Sequence, residues 1–182
     1  MNKYFAFLRA VNVGGHIVKM EHLRQLFESL GFTKVETFIA SGNVIFESPS
    51  QNIDSLEKKM EVELNRALGY EVVPFIRSEK ELEIIATYQA FSQSKLNSAT
   101  AFNIAFLKEP LDKIQLSRLM ELKTDIDEFS VKDREIYWLC QKKQSESTFS
   151  NAVLEKKLQV KSTLRGANTI NKMVVKYIRN LE

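Results

Sequence analysis

Tyr4-Phe5-Ala6-Phe7-Leu8 is apolar at every position, yet Arg9 cuts the run off after five residues. A helix needs about 10–12 residues, whereas a short, continuously apolar run suits a strand buried on both faces. Lys3 to Leu8 is therefore read as a central strand. It leads into Arg9-Ala10-Val11-Asn12-Val13-Gly14-Gly15, where an arginine, an asparagine and paired glycines make a special loop.

The rest of the chain follows in alternating periods. After the 9–18 loop, Met20, Leu23, Leu26, Phe27 and Leu30 recur at helical spacing, and Gly31 stands at the usual C-terminal stop. Val35 to Ala40 and Val44 to Glu47 favour strands, and Ser41-Gly42-Asn43 between them is a hairpin turn signal. A second helix has Asn52 as cap, Ile53, Leu56, Met60, Leu64 and Leu68 as its apolar face, and Gly69 as stop. Val72 to Ile76 is a further strand, placed at a sheet edge because Pro74 cannot donate to a ladder. Ser78 and Glu81 have capping-box spacing at the head of a third helix that runs to about Tyr88.

Strand, helix, strand, strand, helix, strand is the split βαβ order of ferredoxin-like domains. Residues 90–100 read as a connection, and the order then repeats. Ala101 to Leu107 is a strand, Pro110 opens a helix, Ile126 to Lys132 and Glu135 to Cys140 form a hairpin, and Phe149 to Leu158 is the matching helix. Val160 to Thr163 supplies a short fourth strand, and a last helix spans Asn168 to Arg179. The expected fold is α+β, a tandem duplication of two ferredoxin-like (βαββαβ) halves, 1–90 and 91–182, plus a C-terminal helix.

Composition narrows the function classes. Hydrophobic residues at 44% and charged residues at 27% are ordinary for a soluble globular chain. No apolar run approaches the roughly 20 residues of a spanning helix, so a cytoplasmic protein with no membrane partner is expected. Cys140 is the single cysteine and reads as a small buried residue; with only two histidines, no metal site and no cofactor is expected. The net charge of +3 is uneven: Lys156 to Leu181 holds seven basic and no acidic residues, leaving 19 basic against 23 acidic elsewhere. Such a stretch attracts phosphates on nucleotides or nucleic acid, or forms a solvated helix face.

Topology brings the candidate site together. In a split βαβ unit the first two strands run the same way, so the 9–15 loop and the Ser41-Gly42-Asn43 turn lie at one sheet edge. Gly14, Gly15 and Gly42 allow positive φ and close approach, and successive N–H groups curl into an anion-binding nest. Arg9, Asn12, Ser41, Asn43 and Lys19 add donors. The spacing fits neither a dinucleotide fingerprint nor a P-loop. A third segment, Arg165 to Lys172, offers Arg165, a helix N-terminus at Asn168 and Thr169, and Lys172, which together suit a phosphate or carboxylate. Structural turns and an Asn168 N-cap are the plainer account of the same residues.

Leu8-Arg9, Asn12-Val13-Gly14-Gly15, Lys19-Met20, Leu23-Arg24, Gly31-Phe32, Ser41-Gly42-Asn43-Val44-Ile45-Phe46, Thr163, Arg165, Asn168-Thr169 and Lys172 resemble the bacterial domain-of-unknown-function family numbered 1697. The resemblance implies a pair of ferredoxin-like halves and no particular activity. Where that family usually has an asparagine and a bulky aromatic, this chain has Gly166 and Ala167. The pattern points to a protein that binds a phosphate-containing small molecule, with its status as an enzyme and its oligomeric state left open. A nucleic-acid-binding module on the C-terminal basic segment is the alternative, although Asn43 to Glu47 lacks the pattern of an RNA-recognition strand.

Overall fold

A computed structural model describes residues 1–12, 14–39 and 42–179 of the chain. It divides into two compact units, Met1–Glu83 and Ile84–Glu182.

The first unit runs β1 (Asn2–Arg9), α1 (Met20–Ser29), β2 (Thr33–Thr37), β3 (Asn43–Ser48), α2 (Ile53–Leu68), β4 (Val73–Ser78) and the start of α3 (Glu79–Thr87). Its sheet has the order β2-β3-β1-β4, with every neighbouring pair antiparallel. β1 is internal, as its apolar run requires, and Pro74 lies in the edge strand β4. Because β1 and β2 both run against β3, they share a direction.

Alternation sends Tyr4, Ala6 and Leu8 to one face, where they form a core with Phe27, Phe46, Met60 and Leu64. Each fully buried large side chain contributes about 1.5–3 kcal/mol. The helix ends are set locally. Asn52 accepts from the Ser55 N–H at 2.9 Å, and Gly69 closes α2 at φ 78°. Ser78 and Glu81 bond reciprocally at the head of α3.

The second unit holds α4 (Gln93–Ser98), β5 (Ala101–Phe106), α5 (Lys113–Met120), β6 (Asp127–Lys132), β7 (Glu135–Cys140), α6 (Asn151–Leu158), β8 (Thr163–Gly166) and α7 (Ala167–Tyr177). The sheet order is β6-β7-β5-β8, the same arrangement as in the first unit. Its core packs Ala105, Leu119, Ile136, Trp138, Phe149 and Leu154. No helix among the described residues is long and apolar enough to cross a membrane.

Several boundaries differ from the sequence reading. The 90–100 connection contains the short helix α4. Pro110 does not open α5: Asp112 caps it by accepting from the Gln115 N–H at 2.7 Å, and the Gln115 side chain accepts in return from the Asp112 N–H. The fourth strand is Thr163–Gly166 rather than 160–163, because β5 pairs Phe106 with Thr163 and Asn103 with Gly166. α7 consequently starts at Ala167 with Gly166 at its N-cap, so Asn168 is not the cap.

The two registers can be laid over one another. Phe7 pairs with Asn43 and Phe75, and Phe106 pairs with Glu135 and Thr163. Counting along the strands, Arg77 is equivalent to Arg165 and Ser78 to Gly166. In each unit a buried arginine and one small residue end the last strand, and a helix follows without a loop.

Candidate functional site

The end of β1 and the β2–β3 hairpin meet as the strand directions require. The Leu8 N–H donates to the Gly42 carbonyl at 2.9 Å. Gly42 has φ +72°, and a Cβ there would stand 2.6 Å from Val11 Cγ1 and 3.2 Å from Leu8 Cβ. Glycine is needed twice over, for the backbone conformation and for the space. Positive φ also occurs at Ala10 (65°), Gly14 (61°), Gly15 (84°) and Ile39 (59°). A β-branched residue at positive φ is a strained conformation that the surroundings must hold.

Both candidate asparagines of this unit hold backbone together. Asn12 Oδ1 accepts from the Val18 N–H at 2.8 Å, closing the loop on itself. Asn43 is fully buried; its amide donates to the Phe38 carbonyl at 3.0 Å, and the Phe38 N–H donates back to the Asn43 carbonyl at 3.0 Å. Asn43 is thus a strut inside the hairpin.

The remaining candidates of this unit are more open. Gly14, Gly15 and Lys19 are exposed, and Arg9 is half-buried at the last position of β1, opposite Val73. Lys19 stands at the N-cap of α1 with no side-chain cap hydrogen bond, so the helix presents its first N–H groups beside an ammonium. Glu21 in that first turn is bound by Arg24 at 2.5 Å, which holds its carboxyl below the usual range. Ser41 lies outside the described residues. A crevice lined by Val11, Asn12, Met20, Ile39, Gly42 and Asn43 separates loop and hairpin, but its volume of about 10 Å³ is that of a single water. A ligand there would lie across the rim.

Arg165, Asn168, Thr169 and Lys172 belong to the second unit. Arg165 does stand just ahead of α7, but it is buried within β8, 9% exposed, donating to Thr163 Oγ1 at 2.7 Å and the Leu164 carbonyl at 2.8 Å. Burial pushes its guanidinium down to about 10, still protonated at neutral pH. Asn168 and Lys172 are exposed on α7 and Thr169 is half-buried.

Three arrangements escaped the sequence. The His16 ring stacks on Tyr70, centroids 4.2 Å apart at 21°, and the Tyr70 hydroxyl donates to the Val11 carbonyl at 2.8 Å. Asp127 is fully buried and accepts from Trp138 Nε1 (2.8 Å), Ser147 Oγ (2.8 Å) and Thr124 Oγ1 (2.8 Å). A groove of about 510 Å³ opens between α5 and α6, beside Arg118, Lys156 and Lys157. These cations lie near the C-terminal ends of both helices, where they offset the dipoles, and Lys157 is bound to Glu121 at 2.7 Å. Among the described residues no three His, Cys, Asp or Glu side chains cluster as metal ligands.

Sheet order, register and the loop–hairpin edge define a tandem ferredoxin-like α+β protein. Residues 1–137 match the family described as "Protein of unknown function (DUF1697)", and the chain belongs to that family. A solved structure of similar fold is that of the conserved bacterial protein SP0830 from Streptococcus pneumoniae. It is 24% identical, with a TM-score of 0.74 over 95% of this chain and 97% of that one. No curated protein matches the chain in sequence.

Proposed function

We propose that the first unit binds a phosphate-bearing small molecule across the rim formed by the 9–15 loop, the 41–43 turn and the start of α1. The observation that carries this reading is the concentration of positive φ at Ala10, Gly14, Gly15, Ile39 and Gly42 around one sheet edge. Such backbone strain clusters where a fold keeps a binding loop in shape, and consecutive glycine N–H groups donate to an anion. Lys19 and the uncapped end of α1 supply positive potential, and Arg9 adds charge from the end of β1. Asn12 and Asn43 act by holding the loop and hairpin. A cytoplasmic location goes with such a ligand.

Isothermal titration of the full chain with inorganic phosphate at low ionic strength tests this. Binding that falls about tenfold in Lys19→Ala is expected; no heat at millimolar phosphate would end the proposal.

The second reading, nucleic-acid binding by the second unit, is favoured by the exposed Asn168, Lys172 and Lys176 on one side of α7. It predicts affinity for single-stranded RNA that falls steeply with salt. With Arg165 committed inside β8, this surface is left with fewer cations than the sequence promised.

A further inference from the structure

We infer that the ligand is a nucleoside monophosphate, with its base on the outer face of His16 and its phosphate against the Gly14–Gly15 backbone; this rests on the phosphate reading above. Three features of the loop ask for more than a bare anion. The first is the stacked pair itself. Tyr70 supports one face of the His16 ring at a centroid distance of 4.2 Å, while His16 as a residue remains exposed. The platform is tied to the loop, since the Tyr70 hydroxyl bonds the Val11 carbonyl.

The second feature is distance. A side chain on Gly14 would begin 4.0 Å from His16 Cδ2, so the ring edge and the glycine backbone are immediate neighbours. A planar group lying on the ring brings a substituent to the glycine N–H groups with a span of about one sugar. The third is the rim. Ile17 is 86% exposed, Ile39 48% and Met20 36%; Ile17 follows His16 directly, and Ile39 and Met20 line the crevice. Phosphate or a phosphorylated sugar leaves this apolar surface in water, whereas a base covers part of it. Stacking on an aromatic ring is tolerant of base identity, so the inference is to the class and not to one base.

The test compares inorganic phosphate, ribose 5-phosphate, AMP and a 5′-phosphorylated tetranucleotide by isothermal titration of the full chain. AMP is expected to bind about tenfold tighter than ribose 5-phosphate. His16→Ala should bring AMP down to the sugar phosphate without weakening the latter, and His16→Phe should restore the difference. In the wild-type chain, AMP but not ribose 5-phosphate should shift the His16 ring-proton resonances upfield; this readout stands even where His16→Ala folds poorly.

Equal affinities for AMP and ribose 5-phosphate overturn the inference and leave the phosphate reading intact, as does an AMP preference that survives His16→Ala. No binding of any of the four removes both. Tetranucleotide binding much tighter than AMP overturns the mononucleotide assignment.

Discussion

The end of β1 and the end of β5 occupy the same place in the two units, and each makes the same contact with its hairpin. Leu8 N–H donates to the Gly42 carbonyl at 2.9 Å, and Leu107 N–H donates to the Arg134 carbonyl at 2.9 Å. What surrounds the contact differs. β6 and β7 are joined by Asp133 and Arg134 alone, and the Arg134 guanidinium reaches the Lys108 carbonyl at 3.3 Å. Residues 107–112 then lead straight to α5. In the first unit residues 38–42 separate the hairpin strands and residues 10–19 separate β1 from α1. The second unit shows that the fold does not need the longer, glycine-bearing version. Longer loops with strained backbone are where scaffolds carry function, which is why the binding proposal rests on the first unit.

The buried arginines teach the converse. Arg77 is 1% and Arg165 9% exposed, at equivalent strand positions, and each donates to the carbonyl of the residue before it. A feature kept in both units is a requirement of the architecture, so Arg165 is a fold residue first. Truncating a large buried side chain to alanine costs about 2–5 kcal/mol. Arg77→Ala and Arg165→Ala should therefore both lower unfolding stability in urea by about 3 kcal/mol. A neutral Arg165→Ala beside a damaging Arg77→Ala would break the equivalence.

The next effect concerns the hairpins. Gly42→Val forces a side chain against Val11 at positive φ and should cost about 2 kcal/mol, whereas Arg134→Val, at the matching position, should stay within about 1 kcal/mol. Equal costs would mean that the two edges are built alike after all.

The smallest effect depends on pH. Cys140 pairs with Ala101 as Ser48 pairs with Asn2, so a thiol stands in the second unit where the first has a hydroxyl. Burial raises the Cys140 thiol above its ordinary 9.0, and Asp127 adds to the rise. Folding then favours the neutral thiol. Its contribution is complete below the ordinary thiol value and is lost as the pH climbs through the raised one. Stability measured from pH 8 to 10 should decline in the wild type and decline less in Cys140→Ser.

Local signals were legible in the sequence. Tyr4 to Leu8 announced an internal strand, Pro74 an edge, and Asn52 and Gly69 the ends of α2, because apolar period, a missing N–H and cap chemistry act within a few residues. The meeting of loop and hairpin was also legible, from strand direction. What the sequence did not show has a common cause. Asn12 and Asn43 read as donors for a ligand, and their bonds to backbone groups at Val18 and Phe38 depend on how the loop and hairpin fold. Arg165 looked like a surface cation until β5–β8 pairing put it in the sheet, and Gly166 hid the strand end because glycine favours neither strand nor helix. Tyr70 stands 54 residues from His16, and no local pattern links them.

Trp138 is the only tryptophan, and it lies in the second unit with its indole N–H on Asp127. Intrinsic emission excited at the red edge is therefore a gauge of one repeat, dark to its sibling. If the repeats melt separately, the indole signal and far-ultraviolet circular dichroism will give different midpoints; if they melt as one, the curves will superimpose. Nature has already labelled half of the molecule.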